Sequence, residues 1–354
     1  MMKPCMALIL CFFLSGCIPK NTVDEVHTQR GVGYDEAPDN QIRGTLLLAE
    51  YKADKTTKNI TMSIVDETSV DILNKAQKQS NSKIVYGTLK LVLFSEAVAR
   101  KELIEISDVF VRDARIGSRV SVVISEGKAQ EILEGDYGDE GNDTFITNML
   151  EHNMRNGDVP KTNLHLFMYD YTQKGKTAYL PIIKKLNEER LDISAIGLMD
   201  HKGHLIDKVP ANDMFYLKLL VDKYTGGAKV VKLNGDRATI KSLHSTNKIK
   251  VTRRNPIGFT VDIKLEGIVQ EYRGQKLTEE KLKKLEEEFA EQITKNTTRL
   301  IKHFQQLGID PTGLGLKAKQ QTRNFDFKKW EDEYKDVTVQ VNTDVTILES
   351  GVVQ

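Results

Sequence analysis

Cys17 is the first residue that the sequence marks for a chemical role, because its thiol directly follows a short apolar run and two small residues. Lys3 places a positive charge near the start, and residues 6–14 are an unbroken apolar run. The small residues Ser15 and Gly16 then lead into the cysteine. A charged start, a short apolar core and small residues are typical of a secretory signal peptide. The run is too short for a transmembrane helix, which needs about 20 apolar residues.

Leu14, Ser15, Gly16 and Cys17 resemble the bacterial lipobox, in which the cysteine thiol takes a diacylglyceryl group and becomes the new N-terminus. We predict a signal peptide over residues 1–16, cleavage between Gly16 and Cys17, and a covalent diacylglycerol and N-acyl lipid on Cys17. Two acyl chains anchor a protein stably where one binds marginally, since each buried methylene contributes about 0.8 kcal/mol. The alternative is an ordinary signal peptide that a chance cysteine follows.

Removal of residues 1–16 would leave a body with no net charge and no free thiol. The chain has 51 Lys and Arg, of which only Lys3 lies in that segment, so 50 basic residues remain beside 50 acidic ones. This balance gives no support to nucleic-acid binding, which uses a basic surface. Cys5 and Cys11 would leave with the signal peptide and Cys17 would hold lipid. Disulfides, thiolate metal sites and a cysteine nucleophile are thereby excluded from the folded part.

Glycines near residue 313 superficially suggest a phosphate-binding loop. After Gly313 such a loop needs Lys and then Ser or Thr, but Leu314 and Gly315 stand there. The segment also follows a helix pattern instead of a strand pattern. We therefore expect a loop that ends a helix.

Two polar groupings could bind a cation, and both fit solvated turns better. His201 and His204 lie three residues apart near a turn, where metal binding would need further ligands and a supporting shell. Asp136, Asp139 and Asp143 lack the spacing and the closing Glu of a calcium hand. We predict no metal site and no catalytic residues.

A charged cluster at residues 112–119 follows an apolar helix pattern. It comprises Arg112, Asp113, Arg115 and Arg119. A charged tail on such a helix is usually a helix end that pairs across a domain boundary, which is our first expectation. The alternative is a surface on which a partner docks.

Periodic patterns divide the rest of the chain into three parts. We predict a lipidated tether over residues 17–40, which are mostly polar and charged. Residues 41–187 show the strand and helix patterns of an α+β region with two subdomains. Charge replaces the apolar pattern at residues 185–190, which predicts a boundary, and residues 188–354 form a second α+β domain.

A long helix dominates the predicted C-terminal domain. Thr278 is a good N-cap, Gly308 fits the position after the last turn and Pro311 prevents continuation, so the helix spans residues 278–307. Four strand patterns precede this helix and one follows it, which indicates an antiparallel sheet with the helix on one face. The predicted fold class is α+β and multi-domain, with mixed or antiparallel sheets that helices cover.

Five sequence blocks, taken in order, resemble the Ger(x)C family, the lipoprotein C subunits of spore nutrient-germinant receptors in endospore-forming bacteria. The resemblance covers essentially the whole chain, and the order of the blocks behind a lipobox is more specific than any single block. The blocks lie at residues 14–17, 84–99, 107–113, 196–200 and 307–315, before Trp330 and a closing strand.

The resemblance implies an α+β protein of three small domains without known catalytic residues. It also implies assembly with the integral-membrane A and B receptor subunits, which are thought to sense the nutrient and pass ions. The chain would then be a lipid-anchored, non-enzymatic subunit on the outer face of the spore inner membrane. It would be required for the response to a germinant and would hold no cofactor beyond the lipid on Cys17.

Two alternatives come from other functional classes. A solute-binding lipoprotein of a membrane transporter would show two α/β lobes around a polar cleft, and the β-rich pattern of the C-terminal half disfavours it. A tethered enzyme is the third interpretation. The sequence has neither the Gly-x-Ser-x-Gly motif nor the His-Glu-x-x-His motif that would support it.

Overall fold

The computed structural model describes residues 26–51, 57–101, 103–223, 226–254 and 256–348. Two β-sheets with helices packed on them make up these ranges. A mixed α+β fold results, so the predicted fold class is confirmed.

The larger sheet is formed by strands from the first two thirds of the chain. They are β1 (Val26–Glu36), β2 (Ile42–Tyr51), β3 (Thr57–Asp66), β4 (Lys83–Val85), β5 (Leu91–Ser95), β6 (Ser121–Glu126), β7 (Tyr179–Asn187), β8 (Arg190–Met199) and β9 (Leu205–Pro210). Their spatial order is β3-β2-β1-β5-β6-β7-β8-β9, and β4 also pairs with β1. The central strands β1, β5, β6 and β7 run parallel, while antiparallel hairpins form both edges.

Helices cover both faces of this sheet. They are α1 (Ser69–Gln79), α2 (Glu96–Ala99), α3 (Leu103–Arg112), α4 (Ala129–Leu133), α5 (Asn142–Asn156) and α6 (Leu164–Thr172). Val92 and Phe94 of β5 pack in the layer that includes Phe110 of α3, whereas Leu91 and Leu93 pack in the opposite layer. Because both faces are covered, residues 91–94 of β5 all pack against apolar layers, which explains their unbroken Leu-Val-Leu-Phe run.

The predicted tether over residues 17–40 needs a correction, because residues 26–36 form β1 in the middle of the larger sheet. Val32 and Tyr34 are fully buried. The strand has few large apolar residues, and its Gly33 lets α4 approach closely. A Cβ on Gly33 would lie 2.9 Å from that of Ala129. A strand buried through close helix contact shows little hydropathy signal, so the sequence pattern missed it.

The charged stretch at residues 185–190 is a hairpin turn. β7 and β8 pair antiparallel, with Asn187 opposite Arg190 and two glutamates in the turn between them. The larger sheet therefore continues across the boundary predicted at residues 187–188. Residues 41–187 were predicted to form two subdomains. The structure instead shows two apolar layers, one on each face of the larger sheet.

The smaller sheet and its helices form the rest of the described chain. These elements are α7 (Ala211–Val221), β10 (Ala228–Leu233), β11 (Asp236–Arg254), β12 (Ile257–Arg273), α8 (Glu279–Leu307), α9 (Leu314–Gln321), α10 (Phe327–Glu333) and β13 (Thr338–Leu348). The strand order is β10-β11-β12-β13. β13 runs parallel to β12, so the wholly antiparallel sheet that we predicted is wrong at its last strand. The connection through α8 crosses the sheet and returns the chain in its original direction.

The long helix agrees with its prediction at both ends. The Thr278 hydroxyl accepts a hydrogen bond from the Lys281 amide at 3.3 Å, and Gly308 adopts a left-handed conformation with φ of 71°. Leu285, Phe289 and Ile293 are among the side chains that α8 buries against the smaller sheet.

Two of the four strand patterns that precede the long helix, at residues 238–243 and 248–252, lie within a single long strand, β11. The polar residues between them do not break the strand. The Asn247 side chain donates hydrogen bonds to the carbonyls of Leu219 and Asp222 at 2.9 and 2.8 Å, at the end of α7. A polar residue that satisfies a helix terminus resembles a turn residue in sequence alone.

Candidate functional site

The predicted lipidation and cleavage residues, Cys17 and Gly16, lie outside the described residues. Val26, the first described residue, lies nine positions after Cys17. An extended chain spans at most about 3.6 Å per residue, so Cys17 lies within about 32 Å of Val26. Among the helices of the described ranges, none has the length and apolar character to cross a membrane.

The charged cluster at the end of α3 pairs locally. The Arg112 Nε atom lies 2.5 Å from the Asp108 carboxylate one helical turn earlier. Arg115 donates to both carboxylate oxygens of Asp113, with Nε and Nη2 at 2.8 and 2.6 Å. The expected pairing across a domain boundary is therefore wrong for these two arginines.

Arg115 links this cluster to the start of the larger sheet. Its guanidinium lies 5.6 Å from the ring centroid of Tyr86, the residue after β4. The hydrogen bonds from Arg115 lower the pKa of Asp113 to about 2. The carboxylate is thus ionised at neutral pH and Arg115 keeps its charge.

Arg119 completes the cluster. Its side chain is exposed and lines a hollow beside Lys161 of the segment before α6 and Leu166 of α6 itself. It forms no ion pair with another residue of the described chain.

An apolar groove that the sequence did not predict lies beside these arginines. It has a volume of about 430 Å³ between α3 and α6, with Phe110, Ile116 and Met168 in its walls. Three large apolar side chains on the same two helices are unusually exposed. Val111 is 50% exposed, Tyr169 is 48% exposed and Leu166 is 39% exposed. The run Leu-Phe-Met-Tyr in α6 was the available signal, but it could not show which residues face outward.

We call the surface formed by these exposed side chains and the three arginines the arginine edge. It comprises Val111, Arg112, Arg115, Arg119, Leu166 and Tyr169. Its position in the fold follows from strand register. Leu91 of β5 and Ser121 of β6 lie level with Gly31 of β1, so β1 extends five residues past them toward Val26. The residue 113–120 loop lies at that end of β6, which places the arginine edge at the end of the sheet where β1 begins.

The glycine-containing loop after α8 encloses its own carboxylate. Asp310 is 3% exposed and accepts hydrogen bonds from the Gly315 amide and the Thr312 hydroxyl, both at 2.8 Å. Burial raises the pKa of the Asp310 carboxyl, while hydrogen bonds from the loop amides and Thr312 act in the opposite direction. Because a carboxylate occupies these amide donors, the loop has no free anion site, which agrees with the predicted helix-ending loop.

The same loop fastens the two sheets together. The Asp310 amide donates to the Thr177 hydroxyl at 3.1 Å, and the Thr177 amide donates to the Asp310 carbonyl at 3.0 Å. The Leu316 amide donates to the carbonyl of Gly175 at 2.8 Å. A Cβ on Gly175 would lie 2.6 Å from the Gly315 carbonyl carbon, so the contact requires backbone against backbone. Residues 175–177 lie two positions before the start of β7, so this junction joins the larger sheet to α9.

The two groupings weighed as cation sites serve the fold. His204 lies 3.4 Å from Asp200 within its turn, and His201 contacts the Gly308 carbonyl at 3.2 Å. Asp143 is buried beside Lys90 at 3.5 Å. In the part of the chain that the structure describes, no three potential ligands converge on a metal position.

A further hollow of about 780 Å³ lies between β9, α7 and α8. Three of the five basic side chains in its lining have acidic partners, and Lys208 contacts Glu96. Arg299 pairs with Asp213 at 2.7 Å, and His303 contacts Asp207 at 2.6 Å.

Comparison with known proteins assigns a family. The profile described as "Spore germination protein N-terminal domain" matches residues 20–185, and the profile "Spore germination B3/ GerAC like, C-terminal" matches residues 194–351. The chain belongs to this family of spore germination proteins. The suspected resemblance is confirmed, and the two profiles meet near the hairpin that joins β7 to β8.

Relatives match along their whole length. The chain is 29% identical to "Spore germination protein GerQC" of Bacillus cereus, over 98% of each chain. It is 22% identical to "Putative spore germination protein YfkR" of Bacillus subtilis strain 168, over 99% of this chain and 97% of the relative. The "Crystal Structure of the GerBC protein" superposes with a TM-score of 0.62 at 16% identity, covering 90% of this chain and 97% of that one. At this identity, the similarity to the GerBC structure supports the fold and does not indicate a role.

Proposed function

We propose that the protein is the lipid-anchored, non-enzymatic C subunit of a spore nutrient-germinant receptor, required for the response to a germinant. The observation that supports this most is the family match along nearly the whole chain, behind a signal peptide that ends in Leu-Ser-Gly-Cys. A diacylglycerol and an N-acyl chain on Cys17 hold the protein on the outer face of the spore inner membrane. Its partners there are the integral-membrane A and B subunits.

The protein works through surface recognition. Confinement to a membrane raises the effective concentration of the protein for integral partners. The geometry supports a non-enzymatic role, since His204, Arg299 and Asp310 are engaged in a turn, an ion pair and the loop at the junction between the sheets. The apolar core that joins the two sheets also disfavours the solute-binding alternative, which needs two lobes around a cleft.

Deletion of the gene tests the receptor role. The spores should lose the response to one nutrient, measured as the fall in optical density, and keep germination by a non-nutrient trigger. Complementation with the natural gene should restore the response, and complementation with Cys17→Ala should restore it at least tenfold less well at equal protein level. An unchanged nutrient response after deletion would refute the function.

Mass spectrometry tests the anchor separately. The N-terminal peptide from spore membranes should begin at Cys17 and have the mass of a diacylglyceryl and an N-acyl group. A peptide that begins elsewhere, or an unmodified thiol, would refute the anchor.

A further inference from the structure

The arginine edge lies where the anchored segment enters the fold. Val26 pairs with Lys83 and Thr28 pairs with Val85, so Tyr86 lies about 10 Å along the sheet from Val26. Arg115 packs on Tyr86. The nine residue steps from Cys17 to Val26 could span up to about 32 Å, which is more than this separation. A bilayer that holds the lipid of Cys17 is therefore within reach of the arginine edge.

The charge around the arginine edge is positive, although residues 17–354 have a formal net charge of zero. Arg112, Arg115 and Arg119 are joined there by Lys83 at the start of β4 and by Lys161 beside Arg119, and both lysines are exposed. Asp108 and Asp113 pair with Arg112 and Arg115, and Asp222 accepts a hydrogen bond from the Lys161 amide at 3.1 Å. Five basic side chains therefore stand beside these three acidic ones. Arg155 in the neighbouring hollow is balanced by Glu151 at 2.9 Å.

Apolar side chains project among these charges. Val111, Leu166 and Tyr169 are each between 39% and 50% exposed. Exposed apolar side chains ringed by basic residues are suited to the boundary between lipid headgroups and acyl chains, where tyrosine is enriched. If this surface faced water, these apolar side chains would stay hydrated and contribute no free energy of burial.

We propose that the arginine edge rests on an anionic lipid surface, with Val111, Leu166 and Tyr169 among the headgroups and the arginines on lipid phosphates. This inference rests on the proposed lipid anchor, which supplies the proximity. It fixes the orientation of the molecule: β1 enters from the membrane, and the opposite ends of the parallel strands point away from it.

The full lipidated chain offers a direct test, because its mature form has no free cysteine once Cys17 is acylated. Ser118→Cys places a single thiol on the exposed loop of the arginine edge. Lys128→Cys places a matched thiol after β6, at the opposite end of the sheet. Each is labelled with an environment-sensitive fluorophore and reconstituted in vesicles of equal phosphatidylglycerol and phosphatidylcholine that contain a headgroup nitroxide quencher.

The Ser118 probe should be quenched in these vesicles and the Lys128 probe should not. Quenching at Ser118 should weaken in vesicles of phosphatidylcholine alone and in high salt, since surface charge attraction is screened. Equal quenching of both probes, or of neither, would overturn the inference.

Neutral variants separate charge from apolar contact. Arg112→Gln, Arg115→Gln and Arg119→Gln together should lower the ratio of contacting to free molecules about 100-fold, since each arginine contributes about fivefold near an anionic surface. Val111→Ser with Tyr169→Ser provides a second variant that leaves the charges in place, and it should weaken quenching too. Quenching that survives in both variants would also overturn the inference.

The outcomes distinguish this inference from the anchor. Protein that floats with vesicles but shows no quenching at Ser118 refutes only the membrane contact. Protein that does not float with vesicles refutes the lipid anchor. It also refutes the membrane contact, which depends on that anchor. Shielding of Ser118 that requires the integral subunits would show a protein-docking surface instead and overturn the inference.

Discussion

At the scale of single residues, Asp310 decides whether the loop after α8 can form. It accepts hydrogen bonds from the Gly315 amide and the Thr312 hydroxyl while fully enclosed. Asp310→Asn would turn an amide donor toward one of these donors, and an unsatisfied buried group costs about 1–3 kcal/mol. We expect a loss of about 3 kcal/mol in the free energy of unfolding, measured by urea denaturation. The exposed Asp332→Asn should change it by less than about 0.5 kcal/mol.

The pair of Asp113 and Arg115 predicts a pH dependence. The folded-state pKa of Asp113 is about 2, below its unfolded value, so the pair stabilises the fold above pH 4 and loses this effect as the pH falls to 2. Arg115→Gln should raise the pKa of Asp113 toward its ordinary range, with the hydrogen bond from the backbone amide of residue 115 left in place. Carboxyl ¹³C shifts would measure this rise. Because the pair is largely exposed, the stability difference at pH 7 should stay below about 1 kcal/mol. Arg112→Gln, which removes the partner of Asp108, should leave the pKa of Asp113 unchanged.

The sequence showed which residues form the charged cluster, but it did not show what each side chain contacts. The cluster of Arg112, Asp113, Arg115 and Arg119 was found from charge alone. Whether an arginine pairs with a neighbour in sequence or across the fold depends on side-chain direction, which sequence spacing does not determine. The exposed position of Tyr169 was missed for the same reason, since a short apolar helix shows no clear outward face.

At the scale of elements, α8 is the part of the fold that the sequence determines most completely. Thr278, Gly308 and the spacing of its apolar residues each act within a few residues of one another. The last strand was different: β13 was predicted as a strand, but its parallel pairing with β12 depends on how α8 crosses the sheet. β1 was missed because its burial comes from close helix approach at Gly33, not from hydropathy.

Truncation of the α8 stripe should destabilise the smaller sheet. Phe289 is fully buried and stacks on Phe215 of α7 with ring centroids 6.1 Å apart. Phe289→Ala should cost about 3–5 kcal/mol in the free energy of unfolding, since it leaves a cavity. Glu287→Ala, two residues earlier on the exposed side of α8, should cost less than about 0.5 kcal/mol. Equal urea midpoints for the two variants would contradict the packing described here.

At the scale of the whole molecule, the two sheets share one apolar core. Tyr179, Ile196 and Leu198 of the larger sheet belong to the same cluster as Phe289 of α8. The junction of Gly175 with Gly315 adds backbone contact between the two parts. The chain should therefore unfold in one transition, although family profiles divide it in two.

Trp330 makes this prediction measurable. It is the only tryptophan of the chain and lies in the smaller-sheet part, 5.8 Å from Phe259 between ring centroids. Its fluorescence and the far-UV circular dichroism of the whole chain should give the same urea midpoint, the standard test of a two-state transition. Separate midpoints would show that the sheets unfold independently.

The placement of β1 has a mechanical consequence. Hydrogen bonds to β2 on one side and to β4 and β5 on the other hold this strand along its length. Those between β1 and β2 run perpendicular to the strands, so tension applied at Val26 along the strand axis strains many of them at once. Such a shear geometry resists rupture better than peeling one bond after another. A force applied at the N-terminal end of β1 is therefore borne by the central part of the larger sheet.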